Sequence, residues 1–409
     1  MEQDKIILFE DKKDCCGCGA CMNICPKQAI TMVEDARGFV YPQIDYDKCI
    51  KCGACKRVCG YQQLPKLNNP KDNYASATKN DKQLKKSASG GIFAAVAENI
   101  LKNGGIVYGA AMQYEGKLIP KHIRIDSVKD LIKLQGSKYV QSSIGDCYKN
   151  AKADLTDGKQ VLFSGTPCQI AGLQKFLGKE YDNLLTIDII CHGVPNAKMF
   201  QDFIVTKEKK FNGKIEKFLF RDKSKGQGMT SLFAIRRGNK VENKIINGKV
   251  LSFFTLFLKS YTYRENCYSC PFAQKQRVSD MTLGDFWGFH EEYPNLDKKW
   301  NLSNEKGVSC IIVNTEKGQK CIEQNKDSLI LMKSDFDKIA KHNDQLHTPS
   351  KSNPKREIIM NLYQEKGYDA VEEYYIKNFR IDRLKQNIRG MIPKNLRRNV
   401  QKIMGSLRK

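Results

Sequence analysis

The sequence predicts two unlike folds in series. A small α+β module spans residues 1–64, and an α/β domain with a mixed or mostly parallel sheet spans 74–345; a helical basic tail follows over 346–409. Three observations predict this order. Eight cysteines fall in two matching runs around a short hairpin pattern. Beyond residue 74, apolar strand-like runs alternate with helix-like ones, as in a parallel sheet covered on both faces. Residues 62–73 carry Pro65 and Pro70 among Asn and Lys, the composition of a linker. At 409 residues the chain is long enough for two or three domains and a sizeable core.

The first module is organised by Cys15-x2-Cys18-x2-Cys21-x3-Cys25-Pro26 and Cys49-x2-Cys52-x2-Cys55-x3-Cys59-Gly60. Three thiolates spaced by two residues wrap one iron–sulfur cube, and the fourth of each run reaches the other cube. The expected ligand sets are Cys15, Cys18, Cys21 and Cys59 for one 4Fe-4S cluster, and Cys49, Cys52, Cys55 and Cys25 for the other. This spacing resembles that of bacterial two-cluster ferredoxins. Tetrahedral zinc also uses Cys-x2-Cys pairs, but it needs four ligands and leaves two matching runs unexplained. Between the runs, residues 30–33 and 39–42 flank a turn and predict a hairpin that shields the cubes. A short strand is expected at 6–9.

The second domain opens with Ser87-Ala88-Ser89-Gly90-Gly91 ahead of an apolar helix at 92–101, which ends at Gly104-Gly105. Paired glycines and serine hydroxyls at a helix start suit a phosphate; without the G-x-G-x-x-G fingerprint, a plain capped helix with a close packing contact explains them better. A buried strand is expected at 106–112. The loop Gly136-Ser137-Lys138-Tyr139 follows, where Lys138 and Tyr139 suit a phosphate or a ring, or simply a polar loop. Strands at 161–164 and 184–190 each break into a cysteine, Cys168 and Cys191, where ligands gather in parallel sheets. After a hairpin-like region at 218–250 comes Cys267-x2-Cys270-Pro271. Cys168, Cys191, Cys267 and Cys270 make four soft ligands, enough for a third cube. Cys16, Cys147, Cys310 and Cys321 are left over and read as structural.

Taken together, the stretches 87–93, 136–142, 165–173, 188–195, 267–271 and 282–288 resemble the β subunit of coenzyme F(420)-reducing hydrogenase and formate dehydrogenase. The resemblance covers residues 74–345. It implies an α+β ferredoxin module followed by an α/β flavin-binding domain, with FAD and a third 4Fe-4S cluster. Carried to matching positions, it makes Cys168, Cys191, Cys267 and Cys270 that cluster's ligands. Ser87, Ser89, Gly90 and Gly91, with Gly136, Ser137, Lys138 and Tyr139, become flavin contacts. The implied protein is an iron–sulfur flavoprotein oxidoreductase, passing electrons from a soluble donor to an organic acceptor. That acceptor is a deazaflavin coenzyme or another small or lipid-linked substrate. The alternative is an electron-transfer subunit serving a partner enzyme. No catalytic side chain is assigned; His192, beside Cys191, is noted only as a proton donor candidate.

A formal charge of +24 favours an acidic partner, a nucleic acid or an anionic membrane surface, and the expected partner is an acidic electron-carrier protein or a partner oxidoreductase. Nucleic acid is disfavoured, because no strand pair interleaves aromatic with basic residues. From Lys377 onward, eleven basic residues face one acid, Asp382, among apolar residues at helical spacing. Such a helix lies on an anionic membrane or packs on the domain by its apolar face. The chain begins Met1-Glu2-Gln3-Asp4-Lys5 with no signal-like run. Its most apolar stretch, 251–258, falls far short of the roughly 18 residues of a membrane span. The expected location is cytoplasmic, or peripheral to the inner face of the membrane.

Overall fold

A computed structural model describes residues 5–296 and 300–391. In the first module, β1 (Ile30–Glu34) and β2 (Val40–Ile44) pair antiparallel with Ile30 opposite Ile44. The turn closes because the Asp35 carboxylate accepts the N–H groups of Arg37 (3.0 Å) and Phe39 (2.9 Å). Each cysteine run makes a short helix, Ala20–Ile24 or Ala54–Arg57, entered through a glycine in the left-handed region (Gly19 φ 74°, Gly53 φ 71°). A side chain is strained there, and this turn folds the two-residue spacing around one centre. The strand expected at 6–9 does not form. Side chains take its backbone acceptors instead: Tyr46 Oη donates to the Ile6 carbonyl and Gln62 Nε2 to that of Leu8.

The large domain is built on strands β3 (Asp72–Thr78), β4 (Ile106–Tyr114), β5 (Leu118–Ile125), β6 (Val161–Gly165) and β7 (Leu184–Ile189). A separate antiparallel sheet follows, of β8 (Lys214–Leu219), β9 (Thr230–Arg237) and β10 (Lys240–Asn247). The chain then returns with β11 (Met281–Asp285), β12 (Ser309–Val313) and β13 (Leu329–Lys333). The main sheet runs β13-β3-β12-β11-β7-β6-β4-β5. Its centre, β11, β7, β6 and β4, is parallel, while β5 on one side and β12, β3 and β13 on the other pair antiparallel. The sheet is therefore mixed. Its parallel centre comes from the helices Cys147–Thr156 and Pro167–Leu177, which supply the crossovers a parallel pair needs.

A second core lies under the small sheet, where Phe200, Phe203, Phe218, Phe220, Phe233 and Phe253 meet. The helix Lys355–Asn378 closes it, burying Ile359, Met360, Tyr368, Val371 and Tyr375. Inside this contact Lys207 pairs with Glu372 at 2.5 Å, and the Ser252 hydroxyl also donates to that carboxylate. Residues 355–378 are thus part of the packed body rather than a solvated tail. The next helix, Arg380–Met391, turns the other way: Lys259 pairs with Asp382 and Asn247 donates to the Gln386 carbonyl. Its apolar residues Ile381, Leu384 and Ile388 point outward, 68%, 58% and 52% exposed. The remainder of the basic tail, from Ile392, lies outside the described residues. No helix among the described residues is long and apolar enough to cross a membrane.

Candidate functional site

The cysteines of each expected set lie near one another. Burial pushes the Cys15 thiol up to about 11, against the pull of Arg264, with the sulfurs of Cys18 and Cys59 adding to the rise. Cys21 is raised in the same way, by burial and then by Cys18, Cys15 and Cys59. These four therefore lie near one another. Cys25, Cys49, Cys52 and Cys55 line a second small hollow with Ile30 and Ile44 of the hairpin. A thiol must lose its proton to ligate a metal, so cluster insertion and the packing of these buried cysteines are coupled.

The module is seated on the large domain by its first set. Helix Pro167–Leu177 lies against it so closely that a Cβ on Gly172 would stand 2.9 Å from Cys18 Sγ, and one on Gly60 2.6 Å from the Ala171 carbonyl. Asn23 Nδ2 donates to the Gly145 carbonyl (2.8 Å), Tyr61 Oη to that of Asn266 (3.0 Å), and Gln141 Nε2 to that of Cys16 (3.0 Å).

Across this seam lies a cavity of about 520 Å³, within the size range of cofactor sites. It opens beyond the carboxyl ends of β6, β7 and β11, where a parallel sheet collects its ligands. Cys168, Cys191, Cys267 and Cys270 all line it. Burial raises Cys191, and the charges of Cys267, Cys168 and Cys270 follow as causes, so the four stand together. Burial and then Cys270 hold Cys267 at about 12, and burial and then Cys168 hold Cys270 at about 12. Cys168 departs from this, lowered to about 7 by a hydrogen bond from the Cys16 thiol. Cys16 thus lies beside Cys18 on one side and Cys168 on the other, and both neighbours raise its own thiol.

The fourth wall depends on a buried ion pair. Arg277 Nη2 lies 3.2 Å from Asp188 Oδ1, and both side chains are shut off from water. The same guanidinium donates from Nη1 to the Phe272 carbonyl (2.9 Å) and from Nε to Thr282 Oγ1 (3.1 Å). It therefore ties the loop after Cys270 to β7 and β11.

The predicted flavin contacts also meet here, in different ways. Ser87, Ser89, Gly91 and the residues Gly136, Ser137, Lys138 and Tyr139 line the cavity. Gly91 (φ 82°) starts the helix Ile92–Lys102, whose first residues face inward and present a helix N-terminus. Gly90 stands one layer behind: a Cβ there would lie 2.4 Å from the Ser76 carbonyl, so its glycine serves packing against β3 and β12. The Ser87 hydroxyl donates to the Gln83 carbonyl and that of Ser89 to Val308. Lys138 Nζ donates to the Leu134 and Gln135 carbonyls, and burial pushes its pKa down to about 7. Tyr139 stacks on Phe257 (4.6 Å between centroids) and Phe254 (5.3 Å), so its ring is mostly committed to the core. His192 lines the cavity, its carbonyl accepting from Ser350 (2.6 Å).

Residues 14–62 match the family described as a 4Fe-4S dicluster domain. Residues 158–338 match the family described as the C terminus of the coenzyme F420 hydrogenase/dehydrogenase beta subunit. The chain thus carries a segment similar to a 4Fe-4S dicluster domain ahead of one similar to the C terminus of the coenzyme F420 hydrogenase/dehydrogenase beta subunit. Among solved structures, a chain of the F420-reducing [NiFe] hydrogenase complex from Methanosarcina barkeri aligns with it at 16% identity and a TM-score of 0.44, over 72% of this chain and 93% of that one. No curated protein matches the chain.

Cys168, Cys191, Cys267 and Cys270 fall inside the matched beta-subunit segment; the loops 87–91 and 136–139 precede it. The dicluster module supplies a feature the sequence reading missed, because Cys16 reaches the cavity instead of serving only as packing. Its adjacency to Cys15 was the available signal. His122 is a further lining residue, held between Ser142 Oγ (2.9 Å) and the Ser164 carbonyl (3.0 Å).

Proposed function

We propose that this protein is an iron–sulfur flavoprotein oxidoreductase whose large-domain cavity holds a third 4Fe-4S cluster beside FAD. The observation carrying this reading is the convergence of Cys168, Cys191, Cys267 and Cys270 with two polar loops in one cavity at the ends of three parallel strands. The four cysteines would hold the cluster. The inward start of helix Ile92–Lys102 and the ammonium of Lys138 would face the flavin phosphates. When bound, clusters and a flavin supply the exchange of single electrons for electron pairs. The chain's own residues orient and insulate. Arg277 fixes the Cys270 loop, Tyr139 and Phe257 close an apolar wall, and helix Pro167–Leu177 seats the dicluster module against Cys168.

The acceptor is a small or lipid-linked organic molecule. The outward stripe of Ile381, Leu384 and Ile388 beside Arg380 and Lys385 would bring the chain to an anionic membrane holding such a substrate. An acidic electron carrier or partner oxidoreductase would supply the electrons. A second reading, an electron-transfer subunit without its own substrate, is favoured by the family's description as a subunit. Anaerobic purification with iron, sulfide and flavin analysis tests the proposal. About twelve irons and one FAD are expected, falling to about eight in Cys168→Ser. About eight irons in the unaltered protein would refute the third cluster. Reduction of a small organic acceptor by the purified protein alone would exclude the second reading.

A further inference from the structure

Arg264 is completely buried, 0% exposed, in the seam between the dicluster module and the large domain. Its Nε donates to the Cys15 carbonyl at 2.9 Å, and its Nη2 lies 3.9 Å from Cys15 Sγ. The guanidinium plane stacks on Tyr41, 4.0 Å from the ring centroid, and Nη1 reaches Gln141 Oε1 at 3.5 Å. Gly17 passes so near that a Cβ there would meet the guanidinium carbon at 3.1 Å. Among the described residues no carboxylate pairs with it. The other deeply buried arginines differ: Arg277 has Asp188, and Arg356 has Glu357 and Glu265.

A buried cation without an anion is strongly unfavourable. The groups that Arg264 does face are cysteine sulfurs, Cys15 on the module side and Cys168 and Cys267 across the seam, and they carry negative charge when they ligate a cube. A cube held by four thiolates is anionic and gains one more negative charge on reduction. A fixed cation beside it therefore stabilises the reduced form more than the oxidised one. The cations near the other module cluster, Lys27 in its hollow and Arg57 on the Cys52 carbonyl (3.0 Å), are both exposed to water, which screens them, and its ligand Cys52 is exposed too.

We propose that Arg264 is the internal counter-cation of the 4Fe-4S cluster held by Cys15, Cys18, Cys21 and Cys59, raising its reduction potential above that of the cluster held by Cys25, Cys49, Cys52 and Cys55. Electrons arriving at the exposed cluster then move inward, toward the seam and the Cys16–Cys168 contact. The inward direction rests on the reading of the large-domain cavity as the electron acceptor. The counter-cation role does not.

The test is an EPR-monitored redox titration of the full chain, purified anaerobically, with iron analysis. In Arg264→Gln, one module cluster should show an oxidised-to-reduced ratio at least tenfold higher at fixed potential, about 59 mV for one electron. The other module cluster should not move, and Arg264→Lys should restore most of the shift. Unmoved midpoints in Arg264→Gln, or equal shifts in both module clusters, would overturn the proposal. If Arg264→Gln loses its cluster iron, Arg264→Lys decides. Full iron with near-native midpoints then shows that the charge is what the site requires, and iron loss there too overturns it. A missing third cluster lowers the iron count but leaves these two midpoints readable, so the two readings fail separately.

Discussion

Replacing Arg277 by Met removes the charge and the hydrogen bonds while keeping much of the side chain's volume. Asp188, 0% exposed, then has no cation at 3.2 Å, and its second oxygen already lacks a partner. Breaking one side of a buried pair costs about 3–5 kcal/mol. An independent ceiling comes from neutralisation, since the orphaned carboxyl can take up a proton. Moving from its ordinary value of 3.8 to pH 7 spans about three pH units, or about 4 kcal/mol. The two figures agree, and both are large against a typical total of about 5–15 kcal/mol. The sign with pH follows from burial, which already raises Asp188 in the folded state. The penalty of a raised acid is absent below its unfolded pKa, grows as pH rises from there, and is complete above its folded pKa. Arg277→Met should therefore be least destabilised in acid and progressively worse as pH rises above the ordinary carboxyl value of 3.8. Urea midpoints of the anaerobic protein, with bleaching of cluster absorbance as a second readout, measure this. Adding Asp188→Asn should recover most of the loss. A deficit under about 1 kcal/mol, or one that neither pH nor Asp188→Asn changes, would refute the reasoning.

Three further outcomes are expected. Flavin rebinding to the apoprotein should weaken as pH rises past about 7, because Lys138 loses its proton there, and Lys138→Gln should abolish that dependence; binding titrations across pH decide it. Gly172→Val should lift the module from helix Pro167–Leu177, since even a Cβ would stand 2.9 Å from Cys18 Sγ. Cluster iron should fall and proteolysis within 62–71 should quicken, whereas an unchanged protein would show that the seam tolerates displacement. Replacing Ile381, Leu384 and Ile388 by Asp should remove binding to anionic vesicles without altering the thermal transition, because all three face outward; retained binding in a flotation assay would dismiss the docking face.

Much of this was legible along the chain, and unevenly so. The helix Ile92–Lys102, β6 and β7 appear where apolar runs and Gly-Gly stops put them. β5 was missed because it extends a hairpin from β4 and alternates weakly. The helix Lys355–Asn378 was read with the tail because Lys and Glu mask its buried stripe. Gly90 shows a limit of motif reading: one glycine pair suits both a phosphate cradle and a strand contact, and Gly90 itself makes the contact.

The cysteine spacings alone determined the two module clusters, because ligand turns closed by Gly19 and Gly53 are local geometry that a few residues encode. They also offered four soft ligands near two strand ends. Only the tertiary structure decided that Cys267 and Cys270 meet Cys168 and Cys191, that Arg277 holds them there, and that Cys16 and Arg264 lie between the two halves. The physical reason is range. A thiol's spacing is set by its neighbours in the chain, whereas the partner of a buried cation is chosen by whichever distant segments the core brings into contact.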